Sequence, residues 1–186
     1  MIDSPNAHRL HAVTCPDDIF PAYRDTPISL LLEYHNLERQ FDTWDKAQVL
    51  IGMCMDNRKQ LRIPDNFAYI IRSGGGNLRP SEFKVSYAIG VGGVTSIALL
   101  AHDNCGMVNV QTKRELFVSG LVENAGWTRE AAEAHFNSFS PLFEIGESID
   151  FVLSEAKRLR ERYPKILVAP LFYNIADRRL ALIHEE

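Results

Sequence analysis

Four stretches of nearly continuous apolar character punctuate the chain: Ala47 to Cys54, Phe67 to Arg72, Val94 to Ala101 and Ile166 to Ile175. Short apolar runs without alternation read as strands covered on both faces, the signature of a parallel sheet. Between them the apolar spacing changes to three and four. Pro27 to Phe41 reads as a helix, with Pro27 in its first turn and Leu30, Tyr34, Leu37 and Phe41 recurring along it. Pro80 to Gly90 reads as a second, with Phe83, Tyr87 and Val91 on one face and Gly90, Gly92 and Gly93 ending it. Residues 112–163 read as three more. Thr112 to Asn124 turns Leu116, Val118 and Gly120 inward, and a helix through Phe136 is capped by Thr128. Ile145 to Tyr163 carries the stripe Ile149, Val152, Ala156 and Leu159. Its last turns, Lys157 to Arg162, place cations where the helix dipole favours them. Asp177 to Arg179 is a turn, and Leu180 to Ile183 a short edge strand.

The order of elements predicts an α/β fold: a mainly parallel sheet of about four strands, plus a C-terminal antiparallel edge strand, flanked by helices. Residues 1–26, punctuated by Pro5, Pro16 and Pro21, read as an irregular arm with at most a short helix. The expected division is an N-terminal arm and helix over 1–46 and a single α/β domain over 47–186. No internal repeat or linker divides the chain further.

Composition narrows the function classes. With 186 residues there is enough chain for one substantial core. A net charge of −4 argues against a nucleic-acid footprint, which is normally basic. No apolar run approaches the roughly 18 residues of a membrane span. The start, Met1 to Pro5, lacks the basic and apolar regions of a secretory signal. Three cysteines are too few and too unevenly spaced for a disulfide framework, so a reducing, cytoplasmic setting is expected.

The chemistry gathers where two predicted strands end. Cys54 closes the first, followed by Met55, Asp56, Asn57 and Arg58. Ala101-His102-Asp103-Asn104-Cys105-Gly106 closes the third. Open α/β sheets place their sites at the carboxyl ends of strands. Cys54, His102 and Cys105 offer two thiolates and an imidazole, a donor set suited to Zn²⁺ with a fourth position for water or a carboxylate. In an extended segment positions 54, 56 and 58 face one side, so Asp56 and Arg58 join the same site. Other candidates read more plainly. His8, His11 and Cys15 are incidental ligand types on a surface arm, and His35 is a surface or packing residue. Asn57 to Asp65 is a solvated crossover. Ser73-Gly74-Gly75-Gly76-Asn77 lacks the Gly-Lys-Ser/Thr ending of a phosphate loop and reads as a tight turn near the metal.

Cys-x-Asp-x-Arg at one strand end, followed by His-x-x-Cys-Gly at a later one, resembles the β-class carbonic anhydrases. Ile70-Ile71-Arg72-Ser73-Gly74-Gly75 is similar to that family's strand ending in Arg-Asn-Ala-Gly, and the C-terminal strand–turn–strand is similar too. The similarity covers roughly residues 47 to 110. It implies Zn²⁺ on Cys54, His102 and Cys105, with a zinc-bound hydroxide that hydrates carbon dioxide reversibly to bicarbonate. Asp56 would orient the hydroxide and Arg58 would hold Asp56 ionised. It also implies a silent state with Asp56 as fourth ligand, and a homodimer or dimer of dimers, for which Pro27 to Phe41 is a candidate packing helix. This chain departs from the pattern at Asn57, where the family usually has Ser, at Ala101 for Gly, at Asn104 for Asp, and at Ser73-Gly74 for Asn-Ala. These changes leave ligands and the Asp–Arg pair intact but bear on the pocket. Hydrolysis of carbonyl sulfide or carbon disulfide is therefore the alternative activity. A zinc-binding protein without turnover, and cysteines that merely pack in a core, are the competing readings.

Overall fold

The computed structural model describes residues 6–185; residues 1–5, the start of the predicted arm, lie outside the described residues. Six strands form one sheet: β1 (Leu10–Ala12), β2 (Val49–Cys54), β3 (Ala68–Ser73), β4 (Ser96–His102), β5 (Leu167–Tyr173) and β6 (Leu180–Ile183). Their order is β1-β6-β5-β4-β2-β3. β3, β2, β4 and β5 are mutually parallel, and β6 runs antiparallel to β5. β1 adds a further short antiparallel strand outside β6, with Leu10 opposite Ile183. The arm was expected to be irregular. Three residues carry no readable period, and β1 exists only because β6 offers it an edge.

Every residue of β2 and of β4 is buried, as strands covered on both faces require. Alternate side chains separate into two cores. Val49, Ile51, Met53, Ala98, Leu100, Leu171 and Tyr173 pack with helix α1 (Pro27–Asn36) on one face. Leu50, Ile97, Leu99, Val168 and Phe172 pack with helices α2 (Glu82–Gly90) and α5 (Ser148–Arg162) on the other. The stripe expected on α5, Ile149, Val152, Ala156 and Leu159, faces this second core. The cations at its end do more than complement a dipole. Arg158 pairs with Glu82 of α2 and with the buried Glu155, and Arg160 reaches Glu185.

Several helices differ from the sequence reading in extent or face. α1 starts at the Thr26 cap, whose hydroxyl accepts from the Ile28 N–H. It stops at Asn36 rather than running to Phe41. The Asn36 side chain is drawn away to the Val13 and Leu180 carbonyls and the Leu180 N–H, and Glu38 turns the chain at φ 55°. Ile28, Leu31, Leu32 and Tyr34 are fully buried against the chain's own sheet, so this helix has no free apolar face for a neighbour. On α2 the expected face is reversed. Phe83, Tyr87 and Val91 are exposed while the smaller Val85 and Ala88 point inward. Helices α3 (Arg114–Ala125) and α4 (Arg129–Phe143) form a hairpin turned at Gly126, which takes φ 70°. Leu116 points outward and Val118 is the buried residue of α3.

Candidate metal centre

The strand order creates the site. From β2 the chain passes to β3 on one side, then returns to β4 on the other, so the carboxyl ends of β2 and β4 frame a topological switch point. Met53 and Leu100 are the last paired residues of these two strands. Cys54 emerges one residue later on β2, and His102 two residues later on β4.

The structure brings Cys54, His102 and Cys105 together, with their donor atoms all within 4.8 Å of one another and all three residues buried. Among the described residues this is the one such group of three or more His, Cys, Asp and Glu. His8, His11 and Cys15 do not gather. The His11 ring lies tilted against Phe20 and edge-on to His184 instead, and Cys15 is exposed. His35, half-buried, bonds through its ring to the Arg178 carbonyl and the Arg62 N–H.

The histidine tautomer follows from its partners. His102 Nδ1 lies 2.7 Å from the Asp103 carbonyl oxygen, which can only accept, so Nδ1 carries the proton. Nε2 is left with its lone pair. It is buried and makes no hydrogen bond of normal geometry among the described residues. A buried acceptor without a partner costs free energy unless something binds there. Asp103 is itself anchored, its Oδ1 accepting from the Ile175 N–H at 2.7 Å. This pattern, one ring nitrogen on a carbonyl and the other bare, is how a metal-binding histidine is held.

The two thiols share charge. Cys54 is held well below the usual thiol range by a hydrogen bond from Cys105, opposed by burial and helped by the nearby His102 ring, the Asp56 N–H and the charge of Lys59. Cys105 is pushed up by the same hydrogen bond and by burial, while the Met107 N–H favours its thiolate. A divalent ion would take both as thiolates. Zinc bonds of about 2.3 Å to sulfur and about 2.0 Å to nitrogen imply tetrahedral donors roughly 3.5–3.8 Å apart. The cluster's spacing, its S, S, N composition and the bare Nε2 fit that ion.

Asp56 stands outside the group of three. Its carboxylate accepts from Arg58 Nη2 at 2.5 Å, from Nε at 3.0 and 3.1 Å, and from the Arg58 N–H at 2.9 Å. The Arg58 side chain therefore holds this carboxyl well below the usual carboxylate range. Arg58 Nη2 also donates to the Asn104 carbonyl at 3.0 Å. Asn104 adopts φ 52°, a left-handed conformation that Asn tolerates well. The dyad thus spans both strand ends, and the structure has Asp56 on Arg58 rather than among the three donors.

Sequence reasoning missed two neighbours. Arg72, exposed on β3, reaches the carbonyls of Cys54 and Asp56 at 3.4 Å and of Lys59 at 3.0 Å. Lys59 lies in the stretch read as a solvated crossover, yet it is 1% exposed. No periodicity marks either residue, because both roles depend on partners distant in sequence. The glycine run is a buried turn behind the ligands. Gly75 and Gly76 take φ 64° and 74°, and a Cβ on Gly76 would stand 3.6 Å from the Cys54 nitrogen. A side chain there would have room but would strain the left-handed backbone.

No protein-family model matches the chain, and no curated protein sequence does. Solved structures do. The chain is similar to a carbonic anhydrase from Glaciozyma antarctica, with a TM-score of 0.61 and 18% identity over 76% of this chain and 85% of that one. It is similar to β-carbonic anhydrase isoform I from Trichomonas vaginalis, with a TM-score of 0.59 and 18% identity over 81% and 91%. A carbon disulfide hydrolase aligns with a TM-score of 0.53 and 18% identity over 76% and 80%. The chain has the β-carbonic anhydrase fold. The resemblance to that family holds at the level of the fold.

Proposed function

We propose that the protein is a zinc enzyme that interconverts carbon dioxide and bicarbonate. The observation that carries this reading is the bare, buried Nε2 of His102 beside two buried cysteines at the sheet's switch point. Cys54, His102 and Cys105 would hold Zn²⁺. When bound, that ion supplies a Lewis acid able to make water a nucleophile near neutral pH. The protein's residues do the rest. The Asp103 carbonyl fixes the tautomer of His102, and the N–H groups of Asp56 and Met107 stabilise the thiolates. Asp56, kept ionised by Arg58, accepts a hydrogen bond from the attacking water and aims its lone pair at carbon dioxide. Arg58, tied to Asn104, keeps Asp56 at the rim. In the alternative arrangement Asp56 would leave Arg58 and serve as a fourth ligand, which would close the site. Two thiolates neutralise the charge of a zinc ion, so activity should rise toward alkaline pH.

The test is stopped-flow carbon dioxide hydration from pH 6.5 to 9 on protein of known zinc content. Rapid hydration with one zinc per chain supports the reading. Full zinc with hydrolysis of carbonyl sulfide or carbon disulfide alone would move the substrate to those molecules. Full zinc without any turnover would leave a structural metal, and a zinc-free protein would refute the centre.

We further propose a homodimer, or dimer of dimers, built on the outer side of β3. Tyr69 and Ile70 of this edge strand, with Phe83, Tyr87 and Val91, form an exposed apolar surface around a groove of about 260 Å³. Such a surface on an unpaired edge suits self-association. The free state of all three cysteines supports a reducing, cytoplasmic setting. No helix among the described residues is long and apolar enough to cross a membrane.

A further inference from the structure

The loop after β2 encloses a second charged group that the proposed hydration does not use. Lys59 is 1% exposed although Asn57, Arg58 and Gln60 around it are exposed. Its Nζ is buried and has no hydrogen-bond partner among the described residues. The acidic groups within its electrostatic reach are Cys54, then Asp56, then Cys105, opposed by Arg72. Each of those three feels the ammonium in return. The side chain is thus enclosed among these charges, and burial works against its own. The backbone keeps it there. Arg72 Nη2 donates to the Lys59 carbonyl at 3.0 Å, and the Gln60 N–H reaches the Tyr173 hydroxyl at 3.4 Å.

A buried ammonium with three unused donors is costly unless something accepts from it. The charges indicate what. A divalent ion, two thiolates and a neutral imidazole sum to zero, Asp56 cancels Arg58, and Asp103 offsets Arg72. The remaining uncompensated charge at the centre is the single positive charge of Lys59, which one monoanion would balance.

We propose that Lys59 is an anion-binding residue of the metal centre, its ammonium donating to an oxygen of a small monoanionic oxyacid, bicarbonate in the first instance, held beside Cys54 and Asp56. The proposal rests on the metal-centre reading for the place of the anion and on the enclosed, unpartnered Nζ for the donor. Lys59 holds and orients the anion, whereas Asp56 addresses the nucleophile.

The experiment titrates bicarbonate into the wild-type protein, Lys59→Met and Lys59→Gln. Binding is followed by calorimetry and by the thermal midpoint, with metal content measured in each sample. Wild type should bind and rise in midpoint. Both variants should keep the metal content of wild type and bind roughly tenfold more weakly or worse. Without anion, Lys59→Met should unfold no earlier than wild type, since it removes an unpartnered buried charge. Equal affinity in wild type and variants, or no binding by wild type in the millimolar range, would overturn the proposal. A wild type without zinc would refute the metal centre alone. Lys59 would then be decided by whether bicarbonate still stabilises wild type and not the variants. Should neither variant fold, the ¹⁵Nζ lysine signals of the wild-type protein decide. One slowly exchanging ammonium must shift on adding bicarbonate, and its indifference would overturn the proposal.

Discussion

Replacing Asp56 by Asn changes one oxygen to an amide nitrogen and removes one negative charge at the rim of the centre. The wild-type carboxylate uses Oδ1 for the Arg58 N–H and Nε, at 2.9 and 3.0 Å, and Oδ2 for Nη2 and Nε, at 2.5 and 3.1 Å. An Asn can keep the first pair. At the Oδ2 position its NH₂ would face the same guanidinium donors, so Arg58 must turn away toward its remaining tie on Asn104. The Arg58 side chain is 45% exposed, which screens the pair. The stability loss should therefore be about 1 kcal/mol rather than the larger value of an enclosed ion pair. For a domain of this size that lowers the thermal midpoint by roughly 2–4 °C. The pH dependence has a definite sign. The carboxyl is depressed in the folded state, so its contribution is present above the unfolded value of about 3.9 and is lost as pH falls through the folded value. The difference in midpoint between wild type and variant should be constant from pH 5 to 8 and shrink below about pH 4. Turnover should fall roughly 100-fold or more, the scale of a positioned proton acceptor. Zinc content should not change, because Asp56 is outside the donor group. Stopped-flow hydration, metal analysis and thermal unfolding on the same preparations measure all three. An unchanged rate at every pH would refute the role of Asp56, and a loss of zinc would make it a resident ligand.

Cys105→Ser should lose the metal and several kcal/mol of stability, and the difference in midpoint from wild type should disappear when both are treated with a chelator. Gly76→Ala should cost about 1–2 kcal/mol, read as a lower midpoint, because φ 74° is left-handed even though the Cβ has room at 3.5 Å from the Leu100 carbonyl. Phe83→Glu, at a side chain 82% exposed, should leave the fold intact and convert the dimer to a monomer by light scattering. A monomeric wild type at micromolar concentration would refute that interface.

The central strands were legible because burial on both faces forces a continuous apolar run, as in β2 and β4. The donors were legible because each sits at such a run's end, where the fold class puts chemistry. What escaped depends on partners far away in sequence. β1 needs the edge of β6. Lys59 is hidden in the run Asn57-Arg58-Lys59-Gln60, whose composition is that of a solvated loop but whose backbone is tied to Tyr173 of β5 and Arg72 of β3. α2 was read from its largest apolar residues, but Val85 and Ala88 are the buried ones, while Phe83 and Tyr87 face outward.

Arg72 gives the edge strand a reach beyond its own position. One guanidinium on β3 grips three carbonyls of the segment that carries Cys54, Asp56 and Lys59. The outer edge of β3 and the ligand loop therefore form one mechanical unit. Whatever engages that edge, a second copy of the chain included, restrains the loop through Arg72. By linkage, whatever fills the centre then stabilises the engaged edge to the same degree. Subunit affinity that shifts with metal or anion occupancy would be the thermodynamic signature of that grip.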